Sequence, residues 1–127
     1  MHFLGIYYLK SQYGGFMTEK KTNFTCPVEA TISLIGGKYK AVILWHLLHG
    51  TMRYSELHKK MPNATDKMLT QQLRELEKDG LITRTVYPVV PPKTEYNLTE
   101  FGQSLVPILD AMCSWGNEYL QKPPCQL

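Results

Sequence analysis

Two proline-containing breaks divide the middle of the chain into segments with different patterns. Pro62-Asn63 separates a short helical segment from a longer one that ends at Gly80, and the stretch Pro88 to Pro92 separates two segments rich in β-branched and aromatic residues. Because proline removes a backbone donor and fixes φ, each break favours a turn. The middle of the chain is therefore predicted to hold two helices joined by a tight turn and, directly after them, a β-hairpin.

The flanking segments complete the predicted order of elements. Ser55, Thr65 and Thr99 have the character of helix N-caps, and Pro107 is expected to kink the last helix because it removes one backbone hydrogen bond. The predicted elements are a helix from Pro27 to Ile35, a helix from about Lys38 to His49, a short extended piece Met52-Arg53-Tyr54, a helix from Glu56 to about Met61, a helix from Asp66 to about Asp79, strands Leu81 to Tyr87 and Thr94 to Leu98, and a long helix from Glu100 to about Gln121.

This order predicts a mainly α (α+β) fold of the winged helix-turn-helix type, with the β-hairpin as the wing and the terminal helices available for dimerisation. The domain is expected to cover residues 25–122. Residues 1–24 form an N-terminal extension, interpreted either as flexible or mis-assigned sequence or as a segment that contacts a dimer partner. Residues 123–127 form a short tail.

Composition and cysteine content limit the class of protein. The 127 residues are 43% hydrophobic with a net charge of +3, which suits one core and permits a nucleic-acid partner without requiring it. Cys26, Cys113 and Cys125 are widely spaced and no secretory signal precedes them, so no disulfide framework is expected. Cys113 is expected to be buried packing, and Cys125 to be free and exposed. The longest apolar-rich stretch, residues 41–48, is too short to span a bilayer, and the protein is interpreted as cytoplasmic without a membrane partner.

The predicted fourth helix has two distinct faces. Leu69, Leu73 and Leu76 form one buried stripe. The opposite row combines the residue types that donate to guanine, read adenine or meet phosphate, and it consists of Lys67, Thr70, Gln71, Arg74 and Lys78. The first three lie in the half that enters the major groove and are predicted to read bases, whereas Arg74 and Lys78 are predicted to meet phosphate. The alternative is a merely solvated face, which Glu75 and Glu77 favour.

The hairpin carries two further candidate DNA contacts. Arg84 lies on its first strand and Lys93 follows Pro91-Pro92. A wing commonly lies along the minor groove or the backbone, where cations add salt-dependent affinity. An ordinary edge charge is the alternative interpretation of Lys93.

The last helix carries an apolar stripe that one thin domain cannot cover, so a second copy of the chain is expected to bury it. The predicted dimer interface consists of Leu105, Ile108, Leu109, Met112, Trp115 and Tyr119.

A set of short motifs follows in a specific order along the chain. The motifs are Cys26-Pro-Val-Glu, Ile35-Gly-Gly-Lys-Tyr-Lys, Leu69-Thr-Gln-Gln-Leu-Arg-Glu-Leu-Glu, Asp79-Gly-Leu-Ile, Pro91-Pro-Lys-Thr-Glu-Tyr, Leu98-Thr and Trp115-Gly116. From Cys26 to about Tyr119 the chain resembles the HxlR-type family of bacterial winged helix-turn-helix regulators, a MarR-like branch. The resemblance implies a homodimer that binds operator DNA and makes its dimer contacts through terminal helices. Tyr39 departs from the tryptophan usual in the family and is expected to fill the same aromatic core site.

The resemblance also implies a role for one cysteine. Cys26 matches the residue that several members use to sense oxidants or electrophiles. A thiolate at a helix N-terminus is stabilised by unpaired N–H groups and the helix dipole. The alternative is a small residue that merely begins a helix.

The sequence therefore predicts a homodimeric, sequence-specific DNA-binding transcriptional regulator. A repressor is expected, its partner is double-stranded operator DNA, and its inducer is an oxidant or a small molecule. The alternatives are a winged-helix module that binds protein and a metal-responsive repressor using His46, His49 and His58, although no ligand set of familiar spacing accompanies them. No glycine-rich phosphate loop or nucleophile elbow is present, so neither enzyme activity nor a cofactor is expected.

Overall fold

The computed structural model describes residues 23–123 and contains six helices and three strands in that range. The predicted N-terminal extension up to residue 22 and the tail from residue 124 lie outside the described residues. The elements are α1 (Pro27–Ile35), α2 (Lys40–Leu47), β1 (Met52–Arg53), α3 (Tyr54–Lys60), α4 (Asp66–Lys78), β2 (Ile82–Tyr87), β3 (Lys93–Leu98), α5 (Glu100–Gln103) and α6 (Val106–Leu120).

The core forms where α2 and α4 pack together. The predicted stripe of α4, Leu69, Leu73 and Leu76, is fully buried, which confirms the pattern read from the sequence. Each such leucine contributes about 1.5–3 kcal/mol relative to an exposed one. On α2, Ile43, Leu44 and Leu47 are also buried, whereas Val42 is exposed. The leucine stripe thus fixes which face of α4 turns outward.

The tight turn between α3 and α4 is set by capping. The Thr65 side chain accepts a 3.1 Å hydrogen bond from the Met68 backbone N–H, as predicted for the cap of α4. The predicted cap at Ser55 is wrong by two positions: α3 begins at Tyr54, and the backbone N–H of Arg53 donates to the Glu56 carboxylate at 2.8 Å. A Glu at the third helical position can satisfy that donor without a capping hydroxyl.

The three strands form one antiparallel sheet in the order β1-β3-β2. The hairpin pairs Ile82 with Leu98 and Tyr87 with Lys93 at its two ends. β1 adds to the far edge of β3 by pairing Met52 with Tyr96, an arrangement that the sequence did not predict. After Ile82 all residues of β2 are exposed, so the hairpin projects from the domain as a wing.

The C-terminal region differs from the single kinked helix that was predicted. α5 and α6 are separate helices with Ser104 and Leu105 between them, and Pro107 lies in the first turn of α6. At that position proline removes no intrahelical hydrogen bond, so it starts a helix rather than bending one. Gly102 explains the tight packing of α5, because a Cβ there would overlap the carbonyl oxygen of Leu81.

Two further findings concern the cysteine of α6 and the apolar length of the helices. Cys113 is half-buried and disulfide-bonded, so the expectations that the cysteines form no disulfide framework and that Cys113 is simply buried packing are wrong. Cys125 lies outside the described residues. Within residues 23–123, no helix is long and apolar enough to cross a membrane.

Candidate nucleic-acid interface

α4 presents its polar residues on the side opposite the buried leucines. Lys67, Gln71, Arg74 and Lys78 are exposed and Thr70 is half-buried. This row of five residues is called the polar face of α4. An open groove runs along it and is lined by Lys67, Thr70, Gln71 and Arg74, together with Asp66 and Glu75. Four of the five α4 residues predicted from the sequence therefore line one groove, and Lys78 is exposed further along the same helix.

Glu75, which the sequence analysis counted against a nucleic-acid interface, has its charge paired. The Nζ of Lys40 lies 2.6 Å from Oε1 of Glu75. The hydrogen bond from Lys40 holds the pKa of Glu75 below its usual value, with a smaller lowering from Gln71. The charge of Glu75, one of the two acids that line the groove, is thus neutralised from inside the protein. Sequence reasoning missed Lys40, although a lysine at the start of an apolar helix signals a need for a counter-charge.

The start of α4 is tied to α3 by a second polar network. The Tyr54 hydroxyl donates to Oδ1 of Asp66 at 2.6 Å, and Nδ1 of His58 lies 3.3 Å from the same oxygen. Burial, and then the Asp66 hydrogen bond, raise the pKa of Tyr54, while the nearby Thr70 hydroxyl acts in the opposite direction. These contacts fix the angle between the two helices. They were not predicted, because they join residues that only the turn brings together.

Tyr39 occupies the position expected of an aromatic core residue. Its ring is partly buried against the hydrophobic core. Its hydroxyl donates to the backbone carbonyl of Asn63 at 3.3 Å. The residue at which the chain departs from the family pattern thereby connects α2 to the turn before α4.

The two cations of the wing do not lie together. Arg84 is exposed and pairs in register with Tyr96, whereas Lys93 pairs with Tyr87, so the two cations lie on opposite faces of the hairpin. Lys93 also lies 3.7 Å from the Glu95 carboxylate and 4.7 Å from the centre of the Tyr87 ring. The hydrogen bond to Glu95 raises the pKa of Tyr87. Part of the Lys93 charge is therefore already engaged, which supports the edge-charge alternative for that residue.

The predicted interface stripe divides into a buried part and an exposed part. Leu105 and Leu109 are buried in the core of the chain itself and Ile108 packs against it, so the first two are not available to a partner. Their burial follows from the break before α6, which turns the start of that helix onto the domain. The exposed part consists of Met112, Trp115 and Tyr119, with the Trp115 and Tyr119 rings stacked at a centroid distance of 5.7 Å.

α1 exposes a second set of apolar side chains. Val28 is 62% and Ile32 58% exposed. In a helix these positions lie one turn apart, so they form a continuous apolar face rather than isolated residues. Together with Met112, Trp115 and Tyr119 they form the exposed apolar surface of α1 and α6.

Cys26 precedes α1 as its N-cap residue, and its thiol is exposed and free. The Glu29 carboxylate folds back onto this helix end and accepts the backbone N–H groups of Thr25 and Cys26 at 3.1 and 3.2 Å. A hydrogen bond from the Thr25 hydroxyl is the main reason that the pKa of Glu29 is lowered. The structure thus agrees with an accessible thiol at the start of the first helix.

The histidines of the metal-sensing alternative do not form a ligand cluster. No group of three His, Cys, Asp or Glu side chains suited to a metal ion occurs within residues 23–123. His58 instead faces Asp66 and the carbonyl oxygen of Ala64, and burial, followed by the charges of Lys60 and His49, lowers the pKa of His46.

The helix pair α3–α4 followed by the projecting hairpin defines a winged helix-turn-helix protein. The chain belongs to the HxlR-like helix-turn-helix family, whose sequence pattern matches residues 34–124. This confirms the family resemblance found in the motifs and the predicted fold class.

Several relatives illustrate this membership. The HTH-type transcriptional regulator YtcD of Bacillus subtilis (strain 168) is 58% identical over 106 residues, which are 84% of this chain and 82% of YtcD. A crystal structure of ytcD matches with a TM-score of 0.72 at 58% identity, covering 77% of this chain and all of that one (100%).

Two structural neighbours were solved in a stated oxidation state, and one of them is named a redox regulator. The redox regulator HypR in its oxidised form matches with a TM-score of 0.71 at 50% identity, covering 73% of this chain and 96% of HypR. The reduced form of the transcriptional regulator YodB from B. subtilis matches with a TM-score of 0.64 at 33% identity, covering 76% of this chain and 95% of YodB.

Proposed function

We propose that this HxlR-family transcriptional regulator binds double-stranded operator DNA as a homodimer and represses transcription by occluding a promoter. The observation that carries the proposal is the polar face of α4, which is largely exposed, lies in the helix directly before a projecting wing and has the neighbouring acid Glu75 paired with Lys40. Such a face offers the donors and cations that the major groove accepts. The proposal includes a cytoplasmic location and no enzymatic activity.

Within this face the roles divide by position along α4. Lys67, Thr70 and Gln71 lie in its first half, which in helix-turn-helix proteins reaches the base edges. Arg74 and Lys78 lie later and would meet phosphates, where they add affinity that depends on salt. Arg84 on the wing would contribute in the same way at the adjacent groove, and Lys93 less so because Glu95 engages it.

The exposed apolar surface of α1 and α6 supports the homodimer. Trp115 and Tyr119 are 69% and 74% exposed in the single chain, and large stacked rings of this kind are rarely left in water. An isologous contact through α6 and α1 would cover both apolar faces and place two copies of α4 about one DNA turn apart, roughly 34 Å. This spacing predicts a palindromic operator.

A thiol signal is the proposed input. Cys26 is exposed and begins α1, one of the two helices that carry the exposed apolar residues. The similarity to regulators named for redox control supports this input over a small-molecule inducer. A change at Cys26 would act on the dimer and, through it, on the spacing of the two α4 helices.

The test is DNA protection over the intergenic region beside the gene, combined with light scattering of the same sample. A dimer that protects a palindromic site is expected, and Lys67→Ala should weaken that protection. Lys122→Ala is the matched control, since it removes the same charge beyond the end of α6. A folded dimer that retards no DNA from its own locus would contradict the proposal and favour the protein-binding module.

A further inference from the structure

We infer that Lys40 is a positioning residue for base reading: its buried ammonium holds Glu75, and Glu75 holds the side-chain amide of Gln71 in one orientation. The inference rests on the proposed function, in which α4 enters the major groove. It assigns a role in sequence recognition to a residue of α2 that lies behind the groove and touches no DNA itself.

The first step is the burial of Lys40. Only 8% of this residue is exposed, and within residues 23–123 it is the one charged residue in the core. Its ammonium reaches Oε1 of Glu75 at 2.6 Å. A buried lysine whose partner is removed becomes an uncompensated charge, so Lys40 and Glu75 constrain each other strongly.

The second step is the orientation of Gln71. Its Nε2 donates to Oε2 of Glu75 at 3.3 Å, so the two oxygens of one carboxylate serve Lys40 and Gln71 separately. An ionised carboxylate only accepts hydrogen bonds, so the amino end of the Gln71 amide must turn towards Glu75. One N–H and the carbonyl oxygen of Gln71 remain free, which is the donor and acceptor pair that adenine binds.

The third step is electrostatic. The pKa of Glu75 is lowered chiefly by Lys40, so the carboxylate stays ionised and paired. Without Lys40, Glu75 would present an unpaired negative charge in the groove lined by Gln71 and Arg74. Loss of Lys40 should therefore reduce affinity for every DNA sequence and, separately, release the Gln71 amide to rotate.

A purely structural tie between α2 and α4 makes a different prediction. It would lower stability without changing which base is preferred at any one operator position. The decisive measurement is therefore the ratio of affinities for the operator and for operators substituted at one base pair at a time. The ratio is measured by fluorescence anisotropy on the intact dimer, with thermal unfolding recorded for each variant.

Four variants are compared with the wild type. Gln71→Ala should lower discrimination at one A·T pair by roughly tenfold. Lys40→Met should lower discrimination at the same pair by a similar factor and weaken binding to random DNA. Lys40→Arg should keep most of the discrimination and most of the affinity for random DNA, because it retains the cation. In the Gln71→Ala background, Lys40→Met should cause no further loss of discrimination, because the two residues act in series.

The double variant Lys40→Met with Glu75→Gln keeps the test decisive if Lys40→Met alone fails to fold, since it leaves no unpaired charge. It should bind random DNA as the wild type does and still lack the base preference. A wild-type base preference in either folded Lys40→Met protein would overturn the inference, as would a Gln71→Ala protein with unchanged preference at every base pair. Neither result overturns the proposed binding of operator DNA, which fails if the wild type binds no DNA, although an unchanged preference in Gln71→Ala would remove Gln71 from the residues proposed to read bases.

Discussion

The side-chain oxygen of Gln72 accepts a hydrogen bond of 3.3 Å from the backbone N–H of Tyr39. Gln72 is on α4, and Tyr39 immediately precedes α2, so the contact joins the loop after α1 directly to the helix proposed to read DNA. Gly37 completes this junction: it has φ of 90°, and a Cβ there would meet the Gln72 amide at 3.4 Å. The loop after α1 is therefore in direct contact with α4.

Gly37→Ala is expected to lower the free energy of unfolding by about 1–2 kcal/mol, because a Cβ is disfavoured at left-handed φ. It should also weaken operator binding, because relief of the strained φ would displace the loop that contacts Gln72. Gly50→Ala is the matched control, because Gly50 has φ of 132° with no atom within 4 Å of its Cβ position. This variant should lose stability without losing affinity for the operator. Urea unfolding and anisotropy measure the two effects. Equal losses of DNA affinity in both variants would contradict the coupling.

Gln71 and Arg74 should have separable effects on DNA binding. Gln71→Ala is expected to relax preference at one base pair at a cost of about 1–3 kcal/mol. Arg74→Ala should weaken all sequences similarly and reduce the slope of log affinity against log salt by about one unit, because it removes one phosphate contact. Salt titrations on specific and random DNA distinguish them. Equal losses on both DNAs for both variants would refute the assignment, and a lower melting temperature for Arg74→Ala would indicate a structural role.

Trp115→Glu should convert the dimer to a monomer, because it places a charge between Met112 and Tyr119 in the exposed apolar surface of α6. The residue is mostly exposed within one chain, so the fold of the monomer should survive. Light scattering at micromolar concentration measures the result. Val90→Glu, at the fully exposed tip of the wing, makes the same apolar-to-acidic change away from α6 and should remain dimeric. A wild-type monomer, or a dimeric Trp115→Glu protein, would exclude this interface.

The division of the α6 stripe shows what sequence patterns can and cannot predict. The leucines of α4 and the Thr65 cap were predictable, because helical periodicity and capping are set by residues within one or two turns. Leu109 has the same local pattern as Trp115, yet it is buried in its own chain while Trp115 is exposed. Both residues lie on α6, and which part of that helix is covered depends on how α6 packs against the core, which the pattern of a single helix does not contain.

The polar face of α4 was likewise predictable only in part. Its residues could be selected from their types and spacing, but Lys40 and Tyr54 could not be assigned to it. Both reach α4 from other helices, and pairing across elements depends on how those helices cross. The strand pairing of Met52 with Tyr96 escaped prediction for the same reason.

Acid should destabilise the protein partly through His46. Burial, with the charges of Lys60 and His49, lowers the pKa of His46 below its ordinary value of 6.5, so the unfolded chain binds the proton more readily than the folded one. The contribution of the neutral ring is complete above pH 6.5 and is lost as the pH falls from there through the folded pKa. His46→Gln should therefore show a shallower fall of melting temperature between about pH 7 and 5.5. His49→Gln, which changes an exposed ring, should keep most of the wild-type slope.

Cys26 should be the thiol through which an oxidant changes operator affinity. It is exposed, free and placed where α1 begins, whereas Cys113 is already disulfide-bonded and unable to react as a thiol. Diamide converts two thiols to a disulfide, and a bond between the Cys26 residues of two protomers, or to a small thiol, would shift α1 against its partner. That shift would reach α4 through Gly37, Tyr39 and Gln72, and would alter the spacing on which operator binding depends.

The comparison is between wild type and Cys26→Ser in a gel shift before and after diamide, with a non-reducing gel run in parallel. The wild type should change its operator affinity and recover it on reduction, and the serine variant should not respond. If Cys26→Ser responds as the wild type does, another group is the sensor. If neither responds, Cys26 serves only as the residue that begins α1, and the signal enters elsewhere.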